Sequence, residues 1–582
     1  MAFTDFEKKF LLYLKENDQK KCISLIEDNE KLIQSYSQDS SYSNELINNI
    51  NTVILEDLKK YKLIEKVLRY ESFTNVLEKF RESDIVIKAC KTENIDALKW
   101  LLTMDINPGV RDENGMTALM HAALHKSLLF VVDYYVNLKG NNKFINAVDN
   151  NGETALFHAI VNVDIFLKLI SDSRIDINKK NNNNETIFIY CCKRNIIDIV
   201  HKLIYRCAEC DFSCTDNAGR TGLMYLVENE REIPYCSSIK KADLEYRNKN
   251  NETVLSLLVK QFYKTWQNED YYLETRKEKL KVLIRTFKNL LRFGCDFNSP
   301  IDEDGNTIMN FFLMIDDLPS AYYLLKKYED LDLSIKNVDG INASYLSLFM
   351  SDNNDMANSL GLRGLILYHK TFDHCYLDRN GNNLLMHELV RDNRHAYGRH
   401  AYHLLNDNTK ILNQTNNKKE NVVIAAVKLG RFDYIDDKVI NTVNLNQQDE
   451  QGNTALHYAL KLRDNDVINR LNNHHVNKEL KNNQGETPMD LAFEMKKQNE
   501  NSDERVNNSI KAYLLEQYKK EYDELLIRPY TRYTSNLKRI GMKWDLYFMF
   551  EQPNEYGNKR RINGQRGIYI NGYNGKGYYY LK

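Results

Sequence analysis

Proline is scarce in this chain, with 7 residues among 582, and glycine is modest at 23. So few breakers leave little room for long flexible linkers, and helices are expected to dominate. No stretch approaches the roughly 18 consecutive apolar residues that a membrane-crossing helix needs. The run Phe311-Phe312-Leu313-Met314 is far too short. The N-terminal residues Asp5, Glu7, Lys8 and Lys9 put charge where a secretory signal needs an apolar core. Ten cysteines over this length give no disulfide density, which suits a reducing compartment. Neither a secreted disulfide scaffold nor a membrane-spanning chain is expected. The expected location is intracellular: the cytoplasm, with the nucleus as the alternative.

Net charge also lacks a dominant sign, at −1 overall. That average hides an asymmetry. Residues 528–582 hold eleven Lys or Arg against three Asp or Glu, so the tail is about +8 and the remainder about −9. Such a split bears on partners rather than on fold. The composition, 42% hydrophobic and 28% charged, is that of a folded chain. Its length exceeds what one compact core usually holds, which leaves several domains or a solenoid that grows by repetition.

Repetition is what the sequence contains. One phrase recurs as Asp112-Glu-Asn-Gly-Met-Thr-Ala-Leu119, Asp149-Asn-Asn-Gly-Glu-Thr-Ala-Leu156, Asp449-Glu-Gln-Gly-Asn-Thr-Ala-Leu456 and Asn482-Asn-Gln-Gly-Glu-Thr-Pro-Met489. Weaker copies surround Thr186, Thr221, Thr253 and Thr307, and degenerate ones surround Asn342, Asn383 and Asn421. Together with 117, 154, 454 and 487 these give eleven marks. Their steps are 37, 32, 35, 32, 54, 35, 41, 38, 33 and 33 residues. All but the 54 cluster near a single period, the signature of a repeat architecture.

The phrase resembles the ankyrin repeat, a Gly-containing turn followed by Thr-Pro-Leu-His-x-Ala, over residues 83–500. The resemblance implies an all-α solenoid of about 11–12 helix pairs joined by hairpin loops. In each turn Gly takes a positive φ (Gly115, Gly152, Gly219, Gly305, Gly452, Gly485). Thr then caps the first helix (Thr117, Thr154, Thr221, Thr307, Thr454, Thr487). Asn184 takes the glycine place in the third unit, since asparagine tolerates the left-handed region next best. The 54-residue step predicts an insertion at about 261–293, read as a lengthened second helix plus an added loop. Residues 1–82 have helical apolar spacing and are expected to form an N-terminal cap. A helix is expected over 501–527. The tail 528–582 is basic and rich in Tyr, Gly and Asn, and its Asn-Gly pairs make it either a small β element or a mobile arm.

No residue group meets the demands of a catalytic or metal site. Cys207, Cys210, Cys214 and Cys236 lack the two tight pairs of a zinc site. Cys191, Cys192 and Cys295 fall at small, buried positions of the repeat. His395, His400 and His403 cluster without a His-Glu-x-x-His pattern. Gly575-Lys576 is not a phosphate loop, because Ile570 stands where its first glycine should be and Gly577 follows the lysine. No cofactor, metal, membrane or small-molecule substrate is expected, and no enzymatic activity. By resemblance the chain is a protein-binding scaffold or adaptor that works through hairpin tips and the face of the first helices. Arg111, Glu113, Asn150, Glu153, Glu450 and Asn453 are the expected contact residues. The alternative is nucleic-acid binding through the tail, where Tyr alternates with Lys and Arg as in Tyr530-Thr-Arg-Tyr533.

Overall fold

The computed structural model describes residues 3–37, 40–56, 61–138, 144–206, 209–267, 273–314, 317–350, 362–390, 409–499, 504–522, 561–562, 565–572 and 575–580. The chain divides into two compact units, residues 1–257 and 258–582. The architecture is all-α and built of repeated helix pairs.

The first unit opens with a helical cap formed by Phe3–Lys15, Gln19–Glu27, Glu30–Ser37, Ser40–Glu56, Tyr61–Leu68 and Thr74–Arg81. Its first helix buries Phe3, Phe6, Phe10 and Leu14, spaced three and four residues apart on one face. Phe6 stacks on Phe10, which meets Phe73 at 5.5 Å. The pair Ile85–Lys91 and Ile95–Leu101 follows without a hairpin before it. Trp100 on its second helix stacks on Tyr61 of the cap at 5.0 Å and donates to Glu65 Oε2.

Each repeat then begins with a turn that folds on its own side chain. The first turn residue is Asp or Asn in all eleven copies: 112, 149, 181, 216, 248, 302, 337, 378, 416, 449 and 482. Asp112 Oδ1 accepts from the Asn114 and Met116 backbone N–H groups at 3.0 and 2.9 Å. The same two bonds recur at Asp149, Asn181, Asp216 and Asn248 in this unit. This is the side-chain mimicry of a backbone turn for which Asp and Asn are suited. Three residues later the chain needs a positive φ. Glycine supplies it in most copies, and Asn184, Asn251 and Lys419 take it at 62°, 60° and 61°. Gly152 has a second reason. A Cβ there would stand 2.8 Å from the Asn182 backbone nitrogen of the next turn.

The capping position behaves unevenly. Thr117, Thr186, Thr221 and Thr307 accept from the backbone N–H three residues on. Thr154 makes no side-chain cap bond. The Thr454 hydroxyl instead donates to His457 Nδ1 at 2.8 Å, and the Thr454 N–H donates to the same nitrogen at 3.0 Å. The expected cap is thus replaced there by a histidine on the helix itself. Thr487 both caps Asp490 N–H and donates to the Asp490 carboxylate.

The insertion corrects the sequence-based expectation. Both helices are lengthened: the first runs Val254–Gln267 over 14 residues and the second Leu273–Arg292 over 20 residues. The first helices Ala118–Leu124 and Ile187–Lys193, by contrast, have 7 residues each. The repeat beginning at Asp216 is lopsided in the other sense, with only Lys241–Glu245 as its second helix.

The second unit continues with first helices Ile308–Met314, Ala343–Leu346, Leu384–Val390, Val422–Lys428, Ala455–Lys461 and Pro488–Asn499, and its last described helix is Glu504–Lys520. Its core lies between successive first helices, where Leu385, Met386, Val423, Ala425, Ala426, Ala455 and Ala459 are buried. The alanines let neighbouring helices approach closely. In the tail, strand Gln565–Gly572 pairs antiparallel with Arg561–Ile562 and with Gly575–Tyr580. The rest of 528–582, including Trp544, lies outside the described residues.

Candidate partner-binding surface

The hairpin tips reach solvent at regular spacing, whereas the first helices are largely buried and open mainly at their ends, as at Leu124 and Lys193. The tips are stitched into a ladder. Asn150 N–H donates to Asn114 O at 3.0 Å, and Asn182 N–H to Asn151 O at 2.9 Å. In the second unit Val338, Asn417, Glu450 and Asn483 donate to Asp304, Asn380, Lys418 and Gln451 in the same way. Asn side chains double the rungs: Asn150 Nδ2 reaches Glu113 O, and Asn483 Nδ2 reaches Glu450 O. A tip ladder of this kind presents its side chains on a preorganised backbone.

Of the residues expected at the contact surface, Arg111, Glu113, Asn150 and Glu450 are exposed. Arg111 and Asn150 also bond the neighbouring turn's backbone, so part of their role is structural. Glu153 is half-buried, and burial raises its carboxyl above the ordinary range. Asn453 corrects the expectation. It is 3% exposed, and its Oδ1 accepts from Asn482 Nδ2 at 3.0 Å and Lys461 Nζ at 3.3 Å. The residue after the turn glycine points into the stack rather than out of it.

Nine residues beyond the turn Asp, the first helix sends a side chain back to the free carboxylate oxygen. His121 meets Asp112 at 2.9 Å, His158 meets Asp149 at 3.1 Å, and His387 meets Asp378 at 3.1 Å. Tyr225 and Tyr458 donate to Asp216 and Asp449 at 2.6 and 2.5 Å. The brace locks turn to helix. Burial pushes Asp112 up, but Lys91, His121 and backbone N–H groups outweigh it and hold the carboxyl at about 2. Burial lowers His121 below its ordinary value despite Asp112. Asp149, Glu153 and His158 gather three donor atoms within 4.8 Å, the one such group among the described residues. Asp149 is already engaged through both oxygens, to two N–H groups and to His158, so the group is a brace with a second acid beside it.

Sequence reasoning did not foresee a four-residue cluster on the first-helix face of the second unit. Glu420 precedes the cap residue Asn421, and Lys428 lies eight residues on, at the end of the same helix. Lys428 Nζ sits 2.7 Å from Glu420 Oε1, and Asn416 Nδ2 holds Glu420 Oε2 at 2.7 Å. Tyr458 from the next helix lies 5.1 Å from Lys428 Nζ, ring centroid to nitrogen. The final helix covers the cluster. In the turn that ends it, the Glu521 carboxylate lies 2.6 Å from Lys428 Nζ, and the Tyr522 hydroxyl donates to Glu420 Oε2 at 2.8 Å. Tyr518 meets Tyr458 edge-on at 5.3 Å. Further along, Leu515 packs on Gly430, Lys511 pairs with Asp464 at 2.6 Å, and Arg463 donates to Asn507. The helix therefore runs across the first helices of two successive repeats. The signal was legible only by register: Glu one residue before the cap, Lys eight after that Glu, and Tyr nine after the next turn Asp.

The remaining candidates resolve simply. Cys191, Cys192, Cys210 and Cys295 are buried, and burial pushes the Cys191 thiol up to about 12. Cys236 donates to Ile204 O, and Cys214 to Asp211. Cys207 and the group His395, His400 and His403 lie outside the described residues. No described helix is long and apolar enough to cross a membrane.

Family models of ankyrin repeats match residues 86–181, described as three copies, and residues 440–492, described as many copies. A search of curated proteins finds no match. The matched segments contain the turns at Asp112, Asp149, Asp449 and Asn482, and the same turn chemistry recurs at the seven turns between them. Turn, brace and helix pair thus accompany the ankyrin repeats that the family models find in this chain.

Proposed function

We propose that the chain is a non-catalytic protein-interaction scaffold or adaptor whose partners seat on the hairpin tips and the first-helix face. Ankyrin repeats are in general protein-interaction modules. The observation that carries the reading here is the final helix of the second unit, which the first-helix face holds through ion pairs and ring contacts. A face that binds one helix so completely has the chemistry to bind others. A rigid stack loses little entropy on binding, so affinity rests on complementarity. Cysteine use supports a cytoplasmic location.

The test is site-specific photo-crosslinking in cells. A photoreactive residue replacing Leu124 or Val161, which are 36% and 65% exposed at the ends of first helices, should capture discrete protein partners. One replacing Tyr205, 59% exposed on a second helix, should not. Equal capture at all three positions, or none, overturns the reading. The charge excess of residues 528–582 supports a second reading, nucleic-acid binding through the tail. Its mark would be steep loss of binding with salt, abolished in a chain ending at Leu526.

A further inference from the structure

The first unit carries the same cluster with no described helix seated on it. Glu185, Lys193, Asp216 and Tyr225 stand where Glu420, Lys428, Asp449 and Tyr458 stand in the second unit, in the same register to cap and turn. The geometry matches contact by contact. Lys193 Nζ lies 2.7 Å from Glu185 Oε1, as Lys428 does from Glu420. Asn181 Nδ2 braces Glu185 Oε2 at 3.2 Å, as Asn416 braces Glu420. Tyr225 bonds Asp216 as Tyr458 bonds Asp449, and Lys193 lies 5.6 Å from the Tyr225 ring centroid. The difference is cover. The Lys193 side chain is 43% exposed and that of Lys428 is 2% exposed.

Three substitutions tell what the open copy would accept. Arg194 holds Glu185 Oε2 at 3.4 Å, the oxygen that Tyr522 takes in the second unit, and its guanidinium stacks 3.5 Å over Tyr190. A ligand helix here needs no counterpart to the Tyr522 hydroxyl. Arg231 stands where Asp464 receives Lys511, so the ligand residue at that place is acidic. Glu228 stands where Lys461 does and is already paired with Arg220. Lys193 also lies 3.8 Å from Asp216 Oδ2, and its exposed flank leaves room for a further carboxylate such as the one Glu521 supplies to Lys428.

We propose that the first-helix face around Lys193 and Tyr225 docks an amphipathic helix of a partner protein. A tyrosine packs on Tyr225, a glutamate three residues later pairs with Lys193, and an acidic residue two turns earlier meets Arg231. The inference rests on the interaction-scaffold reading above and names the chemistry of its partner.

The probe is a labelled synthetic peptide of residues 504–522 carrying Lys511→Glu, titrated by fluorescence anisotropy against the full chain. Saturable one-to-one binding is expected. Lys193→Gln in the protein should weaken it about tenfold or more, as should Glu521→Gln in the peptide. Lys126→Gln, at an exposed pair with Asp164, should leave it unchanged. If Lys193→Gln lowers the melting temperature, the peptide variant carries the test on the unaltered protein. Absence of saturable binding overturns the proposal. So does binding indifferent to Lys193→Gln in a folded protein, which includes exchange of the peptide into the second unit. If the peptide fails while Leu124 and Val161 still crosslink to proteins, only the partner chemistry is wrong. If both fail, the scaffold reading falls with it.

Discussion

Lys193 and Lys428 occupy the same place in the repeat and live in different solvents. Lys193 keeps one flank in water, with Glu185 and Arg194 beside it. Lys428 is sealed by the last helix, between Glu420 and Glu521 and within 6 Å of three tyrosine rings. Burial alone would push the Lys428 ammonium down, but its two carboxylates outweigh that and hold it above its ordinary value. The pair teaches that the repeat pattern sets the donors and acceptors, while one added helix decides whether they form a docking surface or a core. A charged cluster that is inexpensive in water becomes a strong constraint once water is removed.

The largest effect should come from breaking that constraint. Lys428→Met leaves Glu420, 1% exposed, without its cation and should cost about 3–5 kcal/mol in urea unfolding of the full chain. Lys193→Met should cost about 1 kcal/mol or less, since the Lys193 side chain is 43% exposed and Arg194 still serves Glu185. Equal costs at the two sites would erase the contrast between them. A finer cut is Tyr522→Phe, which removes only the hydroxyl that donates to Glu420 at 2.8 Å. It should cost about 1.5–3 kcal/mol, the range for a bond to a charged group, and combining it with Lys428→Met should be non-additive. Additive costs would mean that the helix is held by packing rather than by the cluster.

The fold was legible because its unit is local. The turn, its Gly and the cap lie within eight residues, and a period near 33 exposed them eleven times. Asn184 at positive φ followed from residue type alone. What the sequence did not show depends on contacts between repeats. Asn453 belongs to a phrase whose neighbours are exposed tips, yet the next repeat's Asn482 turns it inward. The 54-residue step announced an insertion, but period could not say that the first helix would take part of it. The last helix was foreseen as a helix. Its seat was not, because Glu521 meets Lys428 across 93 residues and no local pattern ties them.

The turns offer a smaller version of the same contrast, between a stacked position and an end. At Gly152 an added Cβ would meet the Asn182 backbone nitrogen at 2.8 Å, whereas at Gly485, the last turn, nothing lies within 4 Å. Both take positive φ, at 77° and 80°, so both resist a side chain. Gly485→Ala should therefore cost about 1 kcal/mol, from backbone conformation alone. Gly152→Ala should cost about 2–3 kcal/mol, because backbone must move as well. Thermal unfolding of the two variants measures the difference, and identical shifts would mean that the ladder between turns is soft.

The smallest effect is a proton. Beside the brace tyrosine, the second unit has His457 where the first has Met224. His457 Nε2–H donates to Glu486 O at 3.2 Å in the next turn, and Nδ1 accepts from Thr454. Only the neutral ring can do both. Burial lowers the His457 pKa, with Lys461 adding to it, against the pull of Glu486 and Asp449. The folded state therefore resists a proton that the unfolded chain accepts near pH 6.5. Stability from this group is complete at neutral pH and declines as pH falls below about 6.5, levelling off once the folded ring protonates. His457→Met forfeits the cap bonds at every pH but should remove about 1 kcal/mol or less of the loss between pH 7 and pH 5. Urea midpoints at the two pH values measure it. If variant and parent lose the same amount, the ring accepts its proton in the folded state, and the bridge to Glu486 is not what fixes its tautomer.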